Sequence, residues 1–376
     1  MVGGISFATF WLFRFLTAAS APAASEHSRT PQDISGAGRV VGDTPTVRVR
    51  RSKGQVIPMK SWRFHGTGQP LTLDEVPAPH AGPGEVVVDV KAAGLCHSDV
   101  GALDDPEWMT SFPRIPMTLG HENAGVISEV GPGMEDWKVG DRVGLAPVMP
   151  DGDAIGYGAW DGGYGPKIRA TRANLVHLPD ELSFELGAMA TDAGITSYHA
   201  MVTVGGVKKG MRVGVIGLGG LGYIGARVAV LKGAEVYAAD VDPSSRKLAD
   251  EIGLAGVAES ITEFGDKDLP LIVDYAGFGT TTAQAVDTLA KSGTLVQVGL
   301  GRSQATVNTR AIIFKQLRIF GSLSGTQQDL TELYELMRSG ALNPPINRIA
   351  PHEIPEGLDR VRKGGVVGRI VAAYDH

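Results

Sequence analysis

Val213-Gly214-Val215-Ile216-Gly217-Leu218-Gly219-Gly220-Leu221-Gly222 is the segment on which the fold turns. Its first residues read as a buried strand, Met211 to Ile216, and G-x-G-x-x-G follows at once, at the mouth of a helical pattern from Gly220 to Lys232. Each glycine has its own reason. Gly217 permits a tight turn, Gly219 lets backbone approach a pyrophosphate, and Gly222 lets helix and strand pack closely, while the helix N-terminus offers free N–H groups to phosphate. The cradle is therefore Gly217, Leu218, Gly219, Gly220, Leu221 and Gly222. Asp240, 18 residues beyond Gly222, closes the next strand, Glu235 to Asp240. A carboxylate there accepts the adenosine ribose hydroxyls and repels a 2′-phosphate, which favours NAD over NADP. Arg246, past a Pro-Ser-Ser turn, either accepts such a phosphate or faces water.

Beyond Asp240, a helix over Pro243–Ile252 and strands over Leu271–Tyr275 and Thr294–Val298 continue the alternation, which predicts βαβ units and a parallel sheet covered on both faces. Upstream, from about 60 to 190, short β-like runs such as Glu85–Val90 and Gly125–Val130 sit between glycine and proline turns, as in a compact β-domain. Downstream of about 325 come a helix, Asp329–Arg338, and a strand, Gly368–Ala373, placed to return to that first domain. Residues 1–58 read as an N-terminal extension, disordered or outside the native start. Their apolar opening imitates a signal peptide, yet the early charge, Arg14, falls inside the apolar run. No later stretch reaches the roughly 18 apolar residues of a membrane helix.

The 376 residues carry 35 basic and 41 acidic side chains, net −6, which argues against a nucleic-acid partner. At 43% hydrophobic and 20% charged, the chain can build full-sized cores. The 51 glycines and 22 prolines have no collagen period and belong in turns and tight backbone contacts. Cys96 is the one cysteine, so neither an intramolecular disulfide nor an all-thiolate zinc site exists, and any metal uses mixed ligands.

Gly94-Leu95-Cys96-His97-Ser98-Asp99, Gly120-His121-Glu122, Asp161-Gly162-Gly163-Tyr164 and the glycine fingerprint together resemble the zinc-dependent alcohol dehydrogenases of the medium-chain dehydrogenase/reductase family, over about residues 60–376. The resemblance implies an α/β protein with a GroES-like β-domain (59–193), a doubly wound Rossmann domain (194–324) and a C-terminal return (325–376), with substrate in the cleft between domains. It makes Cys96 and His121 zinc ligands and Glu122 a carboxylate able to exchange onto the metal. The family's third ligand is usually a second cysteine. Asp192, in Thr191-Asp192-Ala193-Gly194-Ile195-Thr196, stands at that place. A thiolate, a neutral imidazole, a carboxylate and Zn²⁺ sum to zero charge, and all three donors suit tetrahedral zinc with an open fourth position. By the same resemblance Ser98 takes the substrate proton and Asp99 hydrogen-bonds the far nitrogen of His121. His97 and Arg369 contact the pyrophosphate, and Thr196, Val298 and Gly299 hold the nicotinamide.

The implied reaction is reversible hydride transfer between a zinc-held alcohol and NAD, in a cytoplasmic homo-oligomer (dimer or tetramer) that binds a small alcohol, aldehyde or ketone and neither nucleic acid nor membrane. Two departures stand out. Only 17 residues separate Val143 from Asp161, with no cysteine among them, so the structural-zinc lobe is missing and one zinc per chain is expected. Gly101 occupies the position where many relatives carry a relay histidine, so the proton is expected to leave through Ser98 and a cofactor ribose hydroxyl. Trp108, Leu119 and Trp160 are candidates for an apolar pocket, and equally for core. The competing readings are a zinc-free, NADPH-dependent quinone or enoyl reductase of the same superfamily, and a catalytically silent NAD-binding protein.

Overall fold

Strand Arg212–Ile216 lies at the centre of a six-stranded, wholly parallel sheet. Glu235–Ala239 and Gly256–Ala258 lie on one side of it, and Leu271–Asp274, Thr294–Gln297 and Arg318–Gly321 on the other. The order reverses at Arg212–Ile216, the place where a doubly wound sheet opens a crevice for a ligand. Separate apolar clusters cover the two faces, one around Val213, Val215 and Ile224, the other around Ile216, Ile272 and Leu289. The computed structural model describes residues 58–375, and the expectation for the chain before Pro58 lies outside the described residues.

The second assembly is antiparallel at its heart. Glu85–Gly94 pairs with Glu122–Val130, with Lys167–Thr171 and with the last strand, Arg369–Ala373. Arg142–Leu145 and Leu175–His177 extend it past Glu122–Val130, and a small sheet holds Pro58–Phe64, Thr72–Pro77 and Met117–Thr118. A core with Phe64, Val88, Leu119, Ile127, Tyr164 and Ile370 fills this half. Both assemblies belong to one compact unit across the described residues, 58–375.

Two expectations need correction. The stretch 243–252 is two short helices, Pro243–Arg246 and Ala249–Ile252. Between them the Lys247 and Leu248 amides tighten to three-residue bonds, on Ser244 and Ser245, which breaks the α-helical ladder. The segment from Phe184 to Val204, given no element by pattern, is helical throughout, with π-turns at Ala190–Gly194 and His199–Val204. No helix among the described residues is long and apolar enough to cross a membrane.

Candidate active site

The glycine turn is built as its spacing requires. Gly217 takes φ +86°, a region closed to most side chains. A Cβ on Gly222 would sit 1.7 Å from the Gly217 carbonyl oxygen, so that position is a packing contact. A Cβ on Gly219 would meet nothing within 4 Å, leaving open space in front of the 12-residue helix Gly220–Leu231, whose N-cap has no side-chain bond. Asp240 stands just past its strand, accepting from the Leu218 amide at 2.6 Å and the Asp242 amide at 2.8 Å. Arg246 is half-buried, and its Nη1 donates to the carbonyls of Asp240 (2.6 Å) and Val241 (3.0 Å). Val298 and Gly299 both donate to the Asp274 carbonyl, which fixes the backbone at the end of the neighbouring strand.

The other cluster assembles from three distant segments. Cys96 ends the loop after strand Glu85–Gly94 and leads into helix His97–Asp104; its amide donates to Asp99 Oδ2 at 3.0 Å. His121 precedes strand Glu122–Val130, and Asp192 projects from the π-turn Ala190–Gly194. Thr191 pins that turn to the strand, accepting from the Asn123 amide at 3.0 Å and donating to the Ala188 carbonyl at 2.7 Å. Ligand atoms of Cys96, His121, Glu122 and Asp192 lie within 4.8 Å of one another. Among the described residues this is the one such group of metal-ligating side chains. His121 Nε2 is 3.4 Å from Asp192 Oδ2 and 3.3 Å from Ser98 Oγ, while its Nδ1 faces Asp99 Oδ1 at 3.4 Å. Asp99 is fully buried and is held in turn by the Tyr164 hydroxyl at 2.7 Å.

Arg369 joins the two halves of the site. Its Nη2 pairs with Glu122 Oε1, both side chains being buried. Its Cδ lies 2.7 Å from where a Gly220 Cβ would be, so the guanidinium stem packs on the glycine turn. His97 is close enough to feel its charge. Thr196 Oγ1 lies 3.4 Å from Asp192 Oδ1, which places a predicted cofactor residue beside a predicted ligand. Of the pocket candidates, Leu119 is wholly core and Trp160 stacks under the Arg169 guanidinium, whereas Trp108 fills the space beside Gly101. Sequence reasoning missed Tyr157, whose ring meets His121 edge-on with centroids 4.9 Å apart. It sits in a glycine-rich loop and gives no periodic signal.

The electrostatics suit a cation. Three carboxylates and a thiol converge with one guanidinium and one imidazole, and burial, helped by the charges of Asp192 and Asp99, pushes Glu122 up to about 8 despite Arg369. Burial opposes charge on His121, yet Asp99 and Asp192 raise it well above an ordinary imidazole. Burial likewise opposes charge on Asp192, and His121 nonetheless holds it below the usual carboxylate range. His121 Nδ1, Asp99 Oδ1 and Glu122 Oε2 are buried without hydrogen-bond partners. A divalent ion held by Cys96, His121 and Asp192 would replace the proton drawn to His121 and offset the carboxylate charge, and sulfur, nitrogen and oxygen donors together match zinc.

Comparison with known proteins agrees. Residues 82–180 match the alcohol dehydrogenase GroES-like domain, and residues 220–339 the zinc-binding dehydrogenase domain. An alcohol dehydrogenase of Geobacillus stearothermophilus is 32% identical over 333 residues, 82% of this chain and 97% of that one. A NAD-dependent alcohol dehydrogenase of Sulfolobus acidocaldarius is 28% identical, over 83% of this chain and 99% of its own. The structure of acetophenone reductase from Geotrichum candidum, in complex with NAD, superposes with a TM-score of 0.77 at 30% identity, covering 85% of this chain and 99% of that one. With a GroES-like half, a parallel dinucleotide-binding half and a mixed donor cluster beside the glycine turn, the chain belongs to the zinc-binding alcohol dehydrogenase family.

Proposed function

We propose that this chain catalyses the reversible, NAD-linked oxidation of an alcohol at a single zinc held by Cys96, His121 and Asp192. One observation carries the assignment: the three donor atoms lie within 4.8 Å of one another, and Arg369 connects that cluster to the glycine turn. When bound, zinc supplies Lewis acidity that lowers the pKa of a hydroxyl, and NAD supplies the hydride acceptor.

The protein's own groups do the rest. Ser98 Oγ, 3.3 Å from His121 Nε2, takes the substrate hydroxyl proton. Asp99, fixed by Tyr164 and the Cys96 amide, keeps the His121 ring oriented with Nε2 inward. Glu122, paired with Arg369, is a carboxylate next to the residues that would hold the metal, and Arg369 is the guanidinium that a cofactor phosphate would draw on. His97 and Arg369 bind the pyrophosphate, with Gly217, Leu218, Gly219, Gly220, Leu221 and Gly222. Asp240 selects the adenosine ribose of NAD, and Thr196, Val298 and Gly299 seat the nicotinamide. The proposed domain division, at about 193 and 324, keeps the three metal ligands in the first domain and the glycine turn in the second.

A homodimer fits the exposed edge of the parallel sheet, and the cytoplasm is the proposed location. Edge strand Arg318–Gly321 is exposed along its whole length, with Ile319 at 46% and Phe320 at 47%, and Leu323 beyond its end at 84%. Such an apolar edge is a template for pairing with a second copy about a two-fold axis. The decisive experiment follows NADH absorbance over a panel of alcohols, with the protein as isolated, after chelation and after zinc is restored. The reading requires alcohol-dependent NADH formation that is lost on chelation and regained with zinc. Turnover indifferent to the chelator, or preferring NADPH and an enone, overturns it.

A further inference from the structure

Behind the donor cluster, Gly162, Gly163 and Tyr164 run along the segment that carries His121. Their amides donate to the carbonyls of Thr118 (2.7 Å), Gly120 (2.8 Å) and Leu119 (3.0 Å) respectively. So close a pairing needs two bare residues: a Cβ on Gly162 would stand 2.3 Å from the Gly120 carbonyl oxygen, and one on Gly163 1.7 Å from Asn123 Oδ1. Tyr164 follows them and is wholly buried. Its ring lies so close to Gly120 that a Cβ added there would meet Tyr164 Cδ1 at 2.5 Å. Gly120 takes φ +94°, a region that glycine enters freely, immediately ahead of His121. The ring therefore fixes the backbone on which one candidate ligand stands.

The far end of the same side chain reaches a second segment of the site. Tyr164 Oη donates to Asp99 Oδ2 at 2.7 Å, with the Gly94 carbonyl 3.3 Å away. Asp99 Oδ2 also accepts the Cys96 amide at 3.0 Å, while Oδ1 of the same carboxylate faces His121 Nδ1 at 3.4 Å. Two fixed donors thus fill one oxygen and leave the other turned to the imidazole. Without the hydroxyl, a carboxylate with no solvent exposure loses one of these two donors, and its orientation is no longer set from both sides.

We propose that Tyr164 is a positioning residue of the metal site: through Asp99, its hydroxyl holds the Cys96 and His121 donors in one geometry, so that zinc affinity and coordination depend on it. The phenol bonds to neither ligand side chain and acts on both. Cys96 is reached through its own amide, which Asp99 Oδ2 accepts, and His121 through the ring nitrogen that Oδ1 faces. Groups that hydrogen-bond a metal ligand from outside are worth about 10–100-fold in metal affinity or activity, and Tyr164, one bond further out, belongs at the lower end, about tenfold.

This inference rests on the zinc site of the alcohol dehydrogenase reading, and the test separates the two. Zinc affinity of the full chain is measured by competition with a chromogenic chelator, melting midpoints are taken with and without zinc, and the visible spectrum is recorded with cobalt(II) in place of zinc. In Tyr164→Phe, which keeps the ring and removes the hydroxyl, zinc affinity should fall about tenfold. The melting gap between zinc-loaded and metal-free protein should narrow with it, and the cobalt bands should move or weaken. Asp99→Asn should lose at least as much affinity, and the double variant no more than Asp99→Asn alone, because the hydroxyl acts through that carboxylate. Unchanged zinc affinity and cobalt spectrum, with stability lowered equally in both metal states, overturn the inference and leave the enzyme reading standing; so does an additive double variant. A Tyr164→Phe chain that does not fold even with zinc present overturns it too, since the hydroxyl then holds the fold rather than the donors. If the unsubstituted chain takes up no zinc, the metal-site reading falls and this one with it.

Discussion

Replacing Gly94 with alanine tests the centre of the site with a single methyl group. Gly94 lies opposite Glu122 in the antiparallel pair, in backbone that alanine adopts without strain. On propensity alone the change should stabilise a strand by about 0.5–1 kcal/mol. The structure predicts the opposite sign. The new Cβ would stand 1.9 Å from Glu122 Oε2 and 2.8 Å from Glu122 Cβ, so the carboxylate must leave its position. Its departure strands Arg369, only 6% exposed, without its counter-charge. Breaking one side of a buried ion pair costs about 3–5 kcal/mol. Subtracting the propensity gain leaves a net loss of about 2–4 kcal/mol, and at about 2–4 °C per kcal/mol the zinc-loaded protein should melt about 4–16 °C lower. Scanning calorimetry on matched zinc-loaded samples measures it. Glu122→Gln in the Gly94→Ala background should add less than it does alone, since both act on one contact. A Gly94→Ala protein that melts at or above the original temperature would refute the placement of Glu122 and its pairing with Arg369.

Asp192→Asn keeps the shape and removes the charge; zinc affinity should fall by more than the 10–100-fold typical of an outer partner, with turnover lost. Elemental analysis checks this against one zinc per chain in the unsubstituted protein, and full zinc with full activity in the variant would sink the ligand assignment. Ser98→Ala should lower kcat about 10²–10⁴-fold with zinc content unchanged, and an unchanged kcat with chemistry rate-limiting would remove Ser98 from the proton path. Asp240→Asn weakens the acceptor that binds the Leu218 amide at 2.6 Å. Its kcat/KM for NAD should drop about 10–100-fold, the worth of one hydrogen bond to a charged group, and an unaltered NAD preference would count against its role. Phe320→Asp places charge on the exposed edge strand and should shift light-scattering mass from dimer to monomer; an unchanged mass would move the interface elsewhere.

The sequence made the parallel half legible because its signals are local. The turn at Gly217, the packing at Gly222 and the acid at Asp240 are each set by neighbours within a few tens of residues. The stretch 184–204 escaped for a physical reason. It is packed on several sides, with Ala188, Ala193, Ile195 and Tyr198 all buried, so it has no polar stripe at helical period, and its two π-turns shift the phase twice. Asp192 lies in the first of those turns. From pattern alone it reads as a cap, and only the family correspondence pointed to it. Tyr157 escaped because its contact with His121 is purely tertiary, made from a loop with no repeat. Trp108 was seen as apolar without a place, which the bare Gly101 supplies: a Cβ there would meet the indole at 2.8 Å.

The last strand explains why metal and cofactor sites are not separable modules in this chain. Ile370 accepts the Leu95 amide at 3.0 Å, and Val371 lies opposite Gly94, so the backbone that delivers Cys96 is held in register by the C-terminal return. One residue earlier, Arg369 neutralises Glu122 on one side and packs on Gly220 on the other. Loss of that strand would therefore leave a buried carboxylate unpaired, free the segment carrying the thiol and open the glycine turn together. Each consequence follows from a contact more than 140 residues distant in sequence, and none is expressed in local composition. In the proposed reading the Rossmann half would set where the dinucleotide lies and the GroES-like half where the metal lies, and Arg369, paired with Glu122 and packed on Gly220, is the side chain through which one site would constrain the other.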